Sequence, residues 1–186
     1  AGSRTAFDPA DGRHLYASWE FANLVPWRPN QQPRVVSPSQ MSQAEHQSVW
    51  MAITMFDPNN SQRLFMGTTR IWRTTNDANS WLAVSPHLDG SSISAIEIAP
   101  ANSQRVYVGT ENGGFFRSLD GGTTWSANLA GPTLPGFSIT RLETAPADAN
   151  LLFIAGRGAN YISRTRGDRV AHEFAAICKR AGVAGR

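Results

Sequence analysis

The segment Val106-Tyr107-Val108-Gly109-Thr110-Glu111-Asn112-Gly113-Gly114-Phe115-Phe116-Arg117-Ser118-Leu119-Asp120-Gly121-Gly122-Thr123-Thr124-Trp125 reads as strand, turn, strand, turn and the start of a third strand. Arg105 to Thr110 is rich in β-formers. Glu111 to Gly114 is a hairpin turn, because its two glycines supply positive φ without a Cβ clash. Phe115 to Leu119 is the next strand, Asp120-Gly121-Gly122 turns again, and Thr124 to Leu129 follows as a strand. Upstream, Ile93 to Ile98 partly alternates apolar with polar residues, and Pro100 to Ser103 is turn chemistry. Four short antiparallel strands are therefore predicted in this unit. The alternating helices of a parallel α/β fold are absent.

The unit recurs. Phe7-Asp8-Pro9, Phe56-Asp57-Pro58, Ile98-Ala99-Pro100 and Thr144-Ala145-Pro146 each precede a polar spacer and a β-type run, and their prolines stand 49, 42 and 46 residues apart. The runs are Leu15-Tyr16-Ala17, Leu64-Phe65-Met66-Gly67, Val106-Tyr107-Val108-Gly109 and Leu152-Phe153-Ile154-Ala155-Gly156. The second and third units share the spacer Asn-Ser-Gln-Arg, at 60–63 and 102–105. Such spacing is close to the roughly 40–50 residues of a four-stranded propeller blade. The expected architecture is all-β: a propeller or partial propeller of about four four-stranded blades, as units 1–47, 48–91, 92–136 and 137–168 within 1–168.

At the second turn of the segment, Ser118, Asp120, Gly122, Thr124 and Trp125 match S-x-D-x-G-x-T-W at every fixed position. On these residues the chain resembles the Asp-box (BNR-repeat) β-propeller superfamily, which includes sialidases, xyloglucan-cleaving hydrolases, sortilin-type receptors and photosystem II assembly factors. The motif has a structural logic. A carboxylate in a turn accepts bonds from nearby N–H and hydroxyl groups. A glycine adopts a backbone other residues resist, and a tryptophan buries a large ring. The resemblance implies a structural Asp120 at the blade periphery rather than a catalytic acid.

The pattern decays elsewhere. In the second unit Thr74, Asn76, Ser80 and Trp81 keep the hydroxyls and the ring, but Asn76 stands for the aspartate and Ala78 for the glycine. The fourth unit has Thr165-Arg166-Gly167-Asp168 with His172 where a tryptophan belongs, and the first has no box between Ser18 and Gln47. That Pro- and Gln-rich stretch reads as a loop insertion or an irregular blade. Beyond Asp168, Val170, Phe174, Ile177, Cys178 and Ala181 share one helical face, so a short helix is expected at 169–181 within a basic tail 169–186.

Composition narrows the function. The chain has 186 residues, 41% hydrophobic and 17% charged, enough for a real core. Its net charge of +3 resides in the tail: residues 157–186 carry seven basic and two acidic side chains, leaving the rest slightly acidic. Nucleic-acid binding is thereby disfavoured, and no apolar run approaches the roughly 20 residues of a membrane span. One cysteine excludes an internal disulfide and a Cys-rich zinc site. His14, His46, His87 and His172 lack ligand spacing, and no glycine-rich loop opens a helix, so no metal, cofactor or nucleotide is expected. The family resemblance implies an exported protein, although no signal-peptide pattern is present.

Two functions compete. One is a non-catalytic module binding protein or glycan. The other is a sialidase-like or xyloglucanase-like glycoside hydrolase, or a truncated remnant of one. Hydrolysis needs two carboxyl groups about 5–9.5 Å apart. Asp8, Asp57, Glu97, Glu111 and Glu143 are among the acids available, and nothing in the sequence pairs any two; no catalytic residue is assigned. The Arg-Ile-Pro signature of sialidase-like members is absent, Arg70-Ile71-Trp72 being unlike it. Of six tryptophans, Trp81 and Trp125 belong to turns, while Trp50 and Trp72 are expected on strands. Trp19 and Trp27 are the candidates for ligand contact. An open arc of blades would self-associate through its free edges.

Overall fold

A computed structural model describes residues 4–130, 137–156, 159–166 and 169–171. Among these residues, fourteen strands and one helix follow in chain order. The first sheet holds β1 (Arg4–Phe7), β2 (Leu15–Ser18) and β3 (Leu24–Trp27), after which comes α1 (Gln43–Ser48). The second holds β4 (Ile53–Asp57), β5 (Asn60–Gly67), β6 (Ile71–Thr74) and β7 (Leu82–Ala83). The third holds β8 (Ile93–Ile98), β9 (Val106–Thr110) and β10 (Phe115–Ser118). The fourth holds β11 (Ile139–Ala145), β12 (Asp148–Gly156), β13 (Ala159–Arg166) and β14 (Arg169–Ala171). Every pairing is between consecutive strands and antiparallel.

The sheets stack in sequence order through their first strands, β1 on β4, β4 on β8 and β8 on β11; no comparable packing joins β11 to β1. Each gap between sheets is a core. Tyr16 and Leu24 meet Phe56, Leu64, Met66 and Trp72 in the first. Phe65 and Ile71 meet Ile96, Ile98, Val106 and Val108 in the second. Tyr107 and Phe115 meet Ile139, Leu142, Leu152 and Ile154 in the third. Side chains alternate across a strand, so Leu64 and Met66 serve one core and Phe65 the next. This explains why the runs of the second and third sheets are apolar: both of their faces are covered.

Two of the four sheets have three strands among the described residues, not four. Residues 124–129, expected as a strand, do run beside β10: Ser126 N donates to Arg117 O at 2.9 Å and Leu129 N to Phe115 O at 2.7 Å. The return bonds go to side chains instead. Arg117 N donates to Ser126 Oγ at 3.0 Å and Phe115 N to Asn128 Oδ1 at 3.1 Å, so half of the ladder is replaced. The first sheet does the same beyond β3, where Val36 N donates to Leu24 O at 2.8 Å and Leu24 N to Ser37 Oγ at 2.8 Å.

Two further expectations are corrected. Helix α1 lies in the stretch read as a loop; Ser42 caps it, accepting from Glu45 N at 3.2 Å. At the other end, residues 169–171 are not helical: they form β14, with Arg166 opposite Arg169, Thr165 opposite Val170 and Arg164 opposite Ala171. The open edge of β13 offers backbone partners at once, whereas a short helix must first nucleate. The rest of the expected helix, with Cys178, lies outside the described residues, as do Gly167, Asp168 and His172.

Hydroxyl-to-carboxylate bonds tie consecutive sheets together. Ser61 Oγ donates to Asp8 Oδ1 at 2.5 Å, and Ser103 Oγ to Asp57 Oδ1 at 2.6 Å. Both serines belong to the shared Asn-Ser-Gln-Arg spacer, and both aspartates precede the repeat proline. The third unit has Ala99 in place of that aspartate and the fourth unit's spacer lacks the serine. There Glu97 does the work, accepting from Thr144 N at 3.0 Å and Thr144 Oγ1 at 2.7 Å, while Tyr107 Oη donates to Ala149 O at 2.7 Å.

Candidate functional site

The first strands of the last three sheets wall a groove of about 540 Å³. Ile53 and Met55 of β4, Ala95 and Glu97 of β8, and Leu142 and Glu143 of β11 line it, with the turn prolines Pro100 and Pro146. Each of these strands pairs with a neighbour on one side only. The wall thus presents strand edges with no ladder partner beside an apolar floor, Thr144 N being taken by Glu97, and no aromatic ring lines it.

Two carboxyl groups reach this groove, Glu97 and Glu143, which nothing in the sequence pairs. Burial pushes the Glu97 carboxyl above the usual carboxylate range; the two Thr144 bonds oppose this, and the nearby Glu143 charge reinforces it. Glu143 is exposed and ion-paired to Arg141 at 2.9 Å. Two of the other acids raised for catalysis, Asp8 and Asp57, hold structure. Burial pushes Asp8 up, but bonds from Ser61, Ala10 and His14 outweigh it and hold Asp8 below its usual range. Asp57 accepts from Arg63 Nε at 2.6 Å and Asn59 N at 2.8 Å.

At the 118–125 turn, Asp120 Oδ1 accepts from Ser118 Oγ at 2.8 Å, Thr123 N at 3.0 Å and Thr124 N at 2.8 Å, and Oδ2 accepts from Thr124 Oγ1 at 2.6 Å. The Thr124 hydroxyl and amide, with Ser118, hold its carboxyl far below the usual range. Ser118 Oγ also accepts from Gly122 N at 2.8 Å, and Gly122 has φ +87°. Trp125 packs against the second core and donates Nε1–H to Val84 O of the preceding unit at 2.9 Å. The 74–81 turn repeats these bonds with different atoms. Asn76 Oδ1 accepts from Thr74 Oγ1 at 3.0 Å and Ser80 N at 2.9 Å, Ala78 N donates to Thr74 Oγ1 at 3.1 Å, and Trp81 Nε1 donates to Val36 O at 2.7 Å. Ala78 carries φ +58° where the other turn has glycine.

Trp19 and Trp27 are both exposed but lie at opposite ends of the β2–β3 hairpin, so they share no site. Trp27 stands opposite Leu15 on an uncovered sheet face. Trp50, expected on a strand, precedes β4 and makes an exposed edge-to-face pair with Phe21 at 5.4 Å between centroids. Trp72 is on β6 and buried, donating to Glu45 Oε1 at 2.9 Å. Glu45 is a buried acid that sequence reasoning left without a role. Its signal was Ser42-Gln43-Ala44-Glu45, the spacing of a capping box.

No family model and no curated protein matches the sequence. Solved structures do match the fold. A GH74 xyloglucanase from Xanthomonas campestris superposes with a TM-score of 0.69 at 13% identity, over 88% of this chain and 29% of that one. The β-propeller domain of Myceliophteria thermophila Cps50 (Swd1) does so at 0.59 and 13%, over 86% and 50%. The fold is that of a β-propeller. YCF48, solved bound to D1 peptide, superposes at 0.59 with 17% identity, over 90% and 52%. The chain thus spans less than a third of the xyloglucanase and about half of the other two. A partial propeller of four sheets accounts for both the likeness and the share covered.

Proposed function

We propose that this chain is a non-catalytic interaction module of the Asp-box propeller type, which binds an extended segment of another protein in the groove walled by β4, β8 and β11. The carrying observation is that both groove carboxyl groups are already engaged, Glu97 by Thr144 and Glu143 by Arg141. A general acid must instead be free to give its proton to a leaving group. Protein is favoured over glycan because free strand edges offer a peptide backbone its hydrogen bonds, while a sugar would find no ring to stack on. The peptide held by YCF48 supports this choice. The bonds within the 118–125 and 74–81 turns support reading them as an Asp-box and its degenerate copy.

One observation favours glycoside hydrolysis: Glu97, pushed up by burial, shares its groove with a second carboxylate. A single pair of assays separates the two. The chain is screened for reducing-sugar release from polysaccharides and sialosides, and for binding to an array of extended peptides. Module function predicts no sugar release and peptide binding that Met55→Glu abolishes. Release that disappears in Glu97→Gln would establish the hydrolase instead.

A further inference from the structure

Within the chain, each sheet covers the next in the same register. Tyr16, Phe65 and Tyr107 occupy one position of the second strands, paired with Ala6, Met55 and Glu97 of the first strands. All three rings are buried against the following sheet, and Tyr107 is 3% exposed. The same position in the fourth sheet is Phe153, paired with Glu143. Phe153 is 36% exposed, and Glu143 has lost the next-sheet donor that Thr144 gives Glu97. The fourth sheet thus retains an aromatic–carboxylate pair set for a following sheet, and among the described residues none follows.

The opposite end is the complement. Phe56, Ile98 and Thr144 occupy the last position of the first strands that faces the preceding sheet, and all are buried. The first sheet has Phe7 there, 58% exposed, opposite Leu15, which is opposite Trp27 at 54% exposed. These three form a row across all three strands on one face. The other face, with Ala6, Tyr16 and Leu24, is buried against the second sheet.

We propose that two copies of this chain close on each other head to tail, the fourth sheet of each packing its Phe153 face on the Phe7–Leu15–Trp27 face of the other. The occupant is a second copy because each junction inside the chain sets a ring and its first-strand partner against the next unit's first and second strands, at Phe56–Leu64, Ile98–Val106 and Thr144–Leu152, the positions that Phe7–Leu15 hold in the first sheet. Asp8 N bonds His14 O at 2.9 Å, so in the alternating ladder Phe7 N points to the free edge, as Thr144 N does toward Glu97. Glu143 of one copy meets that N–H of the other. The two junctions are equivalent, so a ring of two copies satisfies all four faces. This inference does not rest on the groove's function.

Sedimentation and light scattering across the micromolar range test it. The chain as it stands should be a dimer. Phe153→Asp and Phe7→Asp alter exposed residues, so each should keep the parent's circular-dichroism spectrum, yet each should weaken self-association at least about tenfold by burying a charge at the centre of the contact. Mixed in equal amounts, the two variants should dimerise again, because one junction of the mixed pair is intact. Trp27→Asp in place of Phe7→Asp should give the same complementation. A monomeric parent at high concentration overturns the proposal, whether a further partner or a further sheet covers the faces. Dimers that survive both variants, or a mixture that stays monomeric, overturn it equally.

Discussion

Replacing Gly122 by alanine places a methyl group 2.7 Å from Cε1 and 3.4 Å from Cζ of Phe65, a ring with no solvent exposure. Two costs add. Holding an alanine at φ +87° costs about 1–2 kcal/mol. Displacing a packed ring costs about 1–3 kcal/mol more. The sum, about 2–5 kcal/mol, lowers the melting temperature by about 4–20 °C for a chain of this length. Gly90 is the matched control: its φ is +81° and nothing lies within 4 Å of the added carbon, so Gly90→Ala should show the backbone cost alone. Thermal unfolding followed by circular dichroism compares the two. Phe65→Leu offers a rescue: in that background Gly122→Ala should cost no more than Gly90→Ala does, and the double-mutant cycle reports the clash as a coupling energy. If the two glycine variants melt together, or if trimming Phe65 changes nothing, the turn does not seat on the neighbouring sheet as described.

Further outcomes follow from the same contacts. Tyr107→Phe leaves Ala149 O without its donor in the third core and should cost about 1–2 kcal/mol by urea denaturation. Asp120 is held below its usual range, so its contribution is present above a pH of about 4 and disappears as the pH falls. Denaturation midpoints of the parent and of Asp120→Asn should therefore differ at neutral pH and converge in acid. Glu97 has the opposite sign: its raised value means stability present below a pH of about 4.3 and lost as the pH rises through that raised value. Against Glu97→Gln, the parent should lose ground as the pH is raised from 4 toward neutrality.

Much of the fold was legible because its units are local. Strand runs, proline turns and the 118–125 motif all sit within about 40–50 residues of one another, the length of one blade. The missing fourth strands were not legible, since whether Ser126 or a carbonyl answers Arg117 N depends on where the returning chain lies. The tail misled for a related reason. Apolar spacing at 170–181 suggests a helix, but the edge of β13 claims residues 169–171. The groove was the least readable feature. Glu97 and Glu143 are 46 residues apart, and only the stacking of one sheet on the next gives them a common space. By contrast, the shared Asn-Ser-Gln-Arg spacer marks the repeat in the sequence, and its serine makes the same kind of contact in both units.

The serine–aspartate ties join each sheet solely to the one beside it, and the third junction replaces them with Glu97 and Thr144. Stability in such a stack is a chain of nearest-neighbour terms rather than one indivisible whole. Damage should therefore stay near where it is inflicted, with outer blades fraying in hydrogen exchange before inner ones. The middle junction, where Ser103 and Arg63 converge on Asp57, is the hinge on which both halves depend. A lesion there should split melting into two steps, whereas an equal loss at either end should peel away a single blade.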